Sequence, residues 1–328
     1  MSAAGFASGS LLAAPAYETG IDWLTLVVWR FFFGALLAWA WVAMSPARRS
    51  AVRRMPRAQA LAAFGLGAMF TGNAGTYYAA LETVTPALAG VLVYTYPVFV
   101  AVLSLWFATR LPGRRPWFAL ALAIVGVVLT LGGIDPSEAP PMSGLVLVFA
   151  SALIYSAWIV LSARLSGERR DRIASDVAQP TSTGDAAVTT AIMMSATFLG
   201  FTAAALVTGR PIQPAAIPAD AWPYLVAIGF VASFLAIQTF YAGARRIGAA
   251  QAALVATVEP VFIVVAAAAI FDEILAPLQL VGAACILGGV VIAQTAPRPS
   301  GAPEPANPLE AELDTDEVPS PAAVPRAR

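Results

Sequence analysis

In the stretch "ATVEPVFIVV" one carboxylate, Glu259, is the only charge between positions 247 and 271, and the next residue, Pro260, brings no backbone N–H. Placing a carboxylate that deep in an apolar segment costs about 2.5 to 3.5 kcal/mol in a bilayer, so it has to face a polar cavity or a partner. The proline leaves the carbonyl of Ala256 without its helical donor, and Pro97 in "YTYPVFV" does the same to Val93. A carboxylate beside freed carbonyls can bind the cationic or hydrogen-bond-donating part of a small solute. The competing reading of Glu259 is a fixed bond between helices.

Arg30, in "VVWRFFF", is the available counter-charge. Either it pairs with Glu259 or with a solute, or it snorkels to the interface and anchors its helix. Tyr94 and Tyr96 precede Pro97, and Tyr96 holds the place before proline that Glu259 holds in the second case. Tyr155 and Trp158 fall midway along another apolar run. Any one of these rings reads as core packing, whereas the set would suit an amphipathic solute. Asn73 and Gln238 are amides within apolar runs and serve either a solute or hydrogen bonds between helices. Tyr77, Tyr78, Tyr241, Asp272 and Glu273 lie near segment ends and read as interface anchors. The glycines 65, 67, 72, 75, 282, 288 and 289 read as points where helices approach closely.

Some chemistry is excluded by inventory. There is no histidine, and Cys285 is the only cysteine. Histidine-ligated metals, disulfide frameworks and Ser-His-Asp catalysis have no residues to use. Asp272 and Glu273 are adjacent and point to different helix faces, so an intramembrane enzyme working on a metal-diphosphate lacks a second acidic pair. No metal, cofactor or nucleic-acid partner is expected.

Of the 328 residues, 59% are hydrophobic and 12% charged, which places the chain in a membrane. Apolar runs at about 24–44, 59–79, 87–108, 116–133, 142–163, 187–208, 222–243, 249–271 and 277–295 predict spans, each near the length needed to cross the hydrocarbon core as a helix. A tenth run, 1–14, is too short to span. No positive residue precedes it, which argues against a cleaved signal peptide. The expectation is a first helix that begins upstream of Met1.

All 19 basic residues are arginine, and they sort by alternate loops. "SPARRSAVRRMPRAQ" carries five, "TRLPGRRP" three, "ARLSGERRDR" four and "ARRIG" two, while "APAYETGID", "ALETVTP", "GIDPSEAPP" and "FDEILAP" carry acids and no arginine. Arg210 alone departs from the pattern. The positive-inside rule then places both termini in the cytoplasm. The tail 297–328, rich in Pro, Ala and acids, has no apolar face and is expected to be disordered.

A repeat is visible at an offset of 163 positions. "YAALETVTPALAGVLVYTYPVFVAVL" from Tyr78 lies ungapped on "YAGARRIGAAQAALVATVEPVFIVVA" from Tyr241, with "PVF" on "PVF" and, further on, "GVV" at Gly126 on "GVV" at Gly289. Five spans fall in each of 1–134 and 142–296. Two copies of an odd unit enter the membrane from opposite sides, so the expected fold is an all-α polytopic membrane protein of ten helices in two inverted five-helix repeats.

These features resemble the EamA-type family of the drug/metabolite transporter superfamily. The residues that carry the resemblance are "WRFFFGALL", "YYAALETVTPALAGVLVYTYPVFVAVLSLWF" and "FYAGARRIGAAQAALVATVEPVFIVVAAAAIFDEILAPLQLVGAACILGGVVI", and it covers nearly the whole chain to Ala296. "ATRLPGRRP" departs from the pattern by lacking an acid after the fourth helix. The resemblance implies a small-solute permease of the bacterial inner membrane, commonly an exporter of amino acids or other amphipathic metabolites. Alternating access, with Glu259 as the group for a proton-coupled cycle, is the leading expectation. A non-transporting sensor or scaffold is the alternative, ahead of an enzyme.

Overall fold

The computed structural model describes residues 2–96, 99, 103, 115–134, 139–165, 186–239 and 258–294, all of them in one compact unit. Pro97, Tyr241, the arginines 245 and 246, and the tail 297–328 lie outside the described residues. Every regular element among the described residues is helical. In chain order these are α1 (Ser2–Glu18), α2 (Trp23–Ala43), α3 (Pro46–Arg54), α4 (Arg57–Ala80), α5 (Pro86–Val93), α6 (Arg115–Gly132), α7 (Met142–Leu165), α8 (Ala186–Thr208), α9 (Trp222–Ala227, continuing as a π-helix over Ile228–Leu235), α10 (Glu259–Phe271) and α11 (Pro277–Gln294).

Among the described residues, four stretches are long and apolar enough to cross a bilayer: Trp23–Ala43, Met142–Ile159, Ala187–Thr208 and Ala219–Thr239. Trp117–Leu131, Glu259–Phe271 and Pro277–Ile292 are shorter apolar helices. Many large apolar side chains face outward, Leu206, Val128 and Ile270 among them, as lipid contact requires and water does not favour.

α1 runs beyond the expected 1–14 to Glu18, 17 residues or about 25 Å. α3 is too short and too polar to read as a span: Pro46 starts its first turn and two arginines close its last. The start of α2 is fixed by Asp22, whose carboxylate accepts the Thr25 N–H at 2.7 Å. Its other oxygen takes Arg210 at 2.8 Å, so the one arginine that breaks the loop pattern is matched by an acid of the same loop set. Glu82 caps α2 as well, accepting the Trp23 N–H at 2.9 Å.

Glu273, read from sequence as an interface anchor, instead accepts the Ala87 N–H in the first turn of α5, at 3.2 and 3.3 Å from its two oxygens. Asp272 adopts a left-handed conformation (φ 53°) that ends α10.

Packing interleaves the two sequence halves. α6 lies along α11, α2 along α8, and α4 touches both α7 and α8. Gly67 abuts the backbone of Met193, which lets α4 and α8 close onto each other. α9 also comes near α2 at Gly229, where an added Cβ would sit 3.1 Å from the carbonyl oxygen of Arg30.

Candidate functional site

A cavity of about 420 Å³ opens among α1, α2, α4, α5, α7, α8, α9 and α10. Of the residues singled out from sequence, Arg30, Asn73, Tyr94, Tyr96, Tyr155, Trp158 and Glu259 all line it. Gln238 is not on its wall: the neighbouring Ile237 is, and the buried Gln238 amide nitrogen has no hydrogen-bond partner among the described residues.

Glu259 opens α10, with Val258 as the N-cap and Pro260 in the first turn. This answers the pairing of a carboxylate with a helix breaker. Proline is tolerated in a first turn, where an N–H has no intrahelical acceptor, and a carboxylate at a helix N-terminus is stabilised by the macrodipole. The helix start that tolerates the proline also seats the acid at the cavity. The Tyr94 hydroxyl donates to Glu259 Oε2 at 3.0 Å, from the turn that ends α5.

Arg30 makes no ion pair with Glu259. Its Nε donates to Ser233 Oγ at 2.9 Å, its Nη1 to the Tyr78 hydroxyl, and its guanidinium lies 4.7 Å from the Tyr78 ring centroid and 5.1 Å from that of Phe31. These contacts hold it inside the bundle, so it does not snorkel. Ser233 belongs to the π-helical segment, whose wider turn brings that hydroxyl onto α2, opposite Gly34.

A continuous aromatic wall joins the two charged groups. Tyr94 meets Tyr96 edge-on at 5.6 Å, Tyr96 meets Tyr155 at 5.0 Å, and Tyr155 stacks on Trp158 at 5.8 Å. Trp158 reaches Phe70 at 5.8 Å, and Phe70 reaches Phe31 at 6.2 Å, beneath the guanidinium. Trp158 is held in place by donating its indole N–H to the Leu66 carbonyl at 3.1 Å. Asn73 Nδ2 donates to the Ser151 carbonyl and hydroxyl at 3.0 Å each, and Ser151 returns a bond to the Asn73 carbonyl at 3.1 Å. That amide nitrogen is spent on tying α4 to α7.

Several lining residues escape the sequence reading. Tyr77 and Tyr78, in the last turn of α4, face the cavity, and Tyr78 is only 3% exposed, with the Arg30 guanidinium 4.7 Å from its ring centroid. Ser10, Thr190, Met193, Met194, Thr197 and Ser233 also line the cavity. Small polar residues in apolar helices carry no distinguishing signal, and nothing in "IGFVASFL" marks a π-helix. Among the described residues no group of His, Cys, Asp or Glu could hold a metal ion.

Comparison with known proteins extends these observations. The profile of the EamA-like transporter family matches residues 1–132 and again 142–295. The uncharacterized transporter YetK of Bacillus subtilis (strain 168) is 22% identical over 215 residues, which cover 65% of this chain and 61% of that protein. An uncharacterized transporter of Archaeoglobus fulgidus is 26% identical over 284 residues, 84% of this chain and 88% of its own. One solved crystal structure shares the fold, with a TM-score of 0.55 at 19% identity over 88% of this chain and 95% of the other.

Proposed function

The chain belongs to the EamA-like transporter family, and from that premise we propose that it is a secondary-active exporter of small amphipathic metabolites, amino acids or drug-like compounds among them, working by alternating access. One observation carries this reading: an acid and a guanidinium stand at the two ends of a single aromatic wall inside a 420 Å³ cavity. That volume is in the range of small-molecule sites, which combine apolar walls with a few orienting polar groups. A solute would lay its apolar body on Tyr96, Tyr155 and Trp158 and its cationic or donor end on Glu259. Arg30, fixed by Ser233 and Tyr78, would take an anionic or acceptor end.

The transport cycle belongs to the same proposal. Five spans in 1–134 and five in 142–296, oppositely inserted, would rock about the cavity. The two separate family matches and the offset repeat support that plan. Both termini would be cytoplasmic in a bacterial inner membrane, with support from the arginine loops and from the pairing of Arg210 with Asp22. Glu259 would exchange protons against solute.

The test begins with export of metabolites and toxic analogues from cells that overproduce the protein. Each compound found is then followed by counterflow in reconstituted vesicles. Trapped unlabelled solute should accelerate entry of labelled solute several-fold over protein-free vesicles. Binding without any counterflow would instead identify a sensor or scaffold.

A further inference from the structure

The arginine-rich connection between α2 and α4 is built rather than loose. The apolar side chains of α3 and its end, Ala51, Val52 and Met55, pack on the cluster formed by Ala38, Val42 and Ala187 of α2 and α8. Arg48 also pins the helix, donating to the Trp41 carbonyl at 3.0 Å with its guanidinium 4.2 Å from the Trp41 ring centroid. What remains outward is charge: Arg49, Arg53, Arg54 and Arg57 are exposed. None of them makes an ion pair with a described acid, and no Asp or Glu occurs in sequence between Asp22 and Glu82.

Directly beside this charge the surface is apolar. α4 begins at Arg57, and positions 57, 61 and 64 share one helix face, so Leu61 (71% exposed) and Phe64 (44% exposed) lie below the Arg57 side chain on the same stripe. Gly65 next to them has nothing within 4 Å of where a Cβ would stand, leaving a bare strip on the helix. Met44, at the end of α2, is 75% exposed at the same end of the bundle. Unpaired guanidiniums over an outward apolar strip, at the level where a membrane-crossing helix ends, match the two chemistries of a phospholipid.

We propose that α3 and the first turns of α4 form a seat for an anionic phospholipid, with its phosphate on Arg53, Arg54 and Arg57 and an acyl chain along Leu61, Phe64 and Gly65. The short helix is the device that sets the arginines at headgroup height. Trp41 and Arg48 are the rivets that keep it there. Anionic headgroups attract each arginine near the surface enough to change occupancy about fivefold.

Native mass spectrometry of the purified full chain, with phosphatidylglycerol and phosphatidylcholine of identical acyl chains, tests this. Wild type should retain phosphatidylglycerol at least tenfold over phosphatidylcholine. The triple variant Arg53→Gln, Arg54→Gln, Arg57→Gln should lose that preference, and each single variant, which keeps two of the guanidiniums, should lose about fivefold of it. Arg210→Gln, at the opposite end of α2, should leave it unchanged. Equal retention of the two lipids by wild type would overturn the seat, as would undiminished preference in the single variants. Displacement of the lipid by an equal concentration of glycerol 3-phosphate would show a headgroup-only anion site and would overturn it too.

Discussion

Replacing Glu259 with glutamine lowers counterflow about two- to thirtyfold and removes any acceleration by an opposing pH gradient, while the melting midpoint stays within about 2 °C of wild type. The size of the effect follows from the charge that the carboxylate brings to its hydrogen bonds. A hydrogen bond to a charged group contributes about 1.5 to 3 kcal/mol, against about 1 kcal/mol for a neutral one. Glutamine keeps an oxygen for the Tyr94 hydroxyl, which now donates at 3.0 Å, and it matches the volume of the acid, so the fold is spared. It cannot take up and release a proton. Wild-type flux in the Gln variant would remove the carboxylate from the cycle, and wild-type flux indifferent to a pH gradient would remove proton exchange.

The second large effect is on assembly and reads out as stability. Along the α6–α11 contact a Cβ added at Gly126 would lie 2.6 Å from the Gly282 carbonyl oxygen and 2.8 Å from the Ile286 nitrogen, and one at Gly289 would lie 2.7 Å from the Ala119 carbonyl oxygen. These obstacles are backbone and cannot turn aside. At Gly288, one residue away, the nearest atom is Leu122 Cδ2 at 3.5 Å, an ordinary contact. Gly126→Ala and Gly289→Ala should therefore each destabilise by about 2 to 3 kcal/mol despite the better helix propensity of alanine, whereas Gly288→Ala should be neutral or slightly stabilising. Thermal melting of the three purified variants checks this. Equal melting of Gly288→Ala and Gly289→Ala would mean that α6 and α11 do not meet in this register.

Much of the site is legible in the sequence because it violates the composition around it. A lone acid, a lone arginine and clustered rings in apolar helices stand out, and all of Glu259, Arg30, Tyr94, Tyr96, Tyr155 and Trp158 reach one cavity. Which partner each takes is not legible. Arg30 could have met Glu259 directly; instead it is held by Ser233, a residue of the π-helical segment of α9. Asn73 is as consistent with solute contact as with helix bonding, and Ser151 decides where its amide nitrogen goes. Tyr78 misleads through its position, since a tyrosine near a span end resembles an interface anchor until its bond to Arg30, 48 positions away in sequence, is known. Glu273 misleads similarly, because a cap is defined by the helix it faces, α5, which lies far off in sequence.

Under the proposed function, the cavity between Glu259 and Arg30 opens to either face of the membrane in turn. Cys285 is the sole cysteine, so Cys285→Ser provides a thiol-free background for Met193→Cys, at a position on the cavity wall. A membrane-impermeant maleimide, applied in separate runs from outside and from inside reconstituted vesicles, should modify the introduced thiol from both faces, and transported solute should slow both reactions. Modification from one face only, or from neither, would contradict alternating access through this cavity.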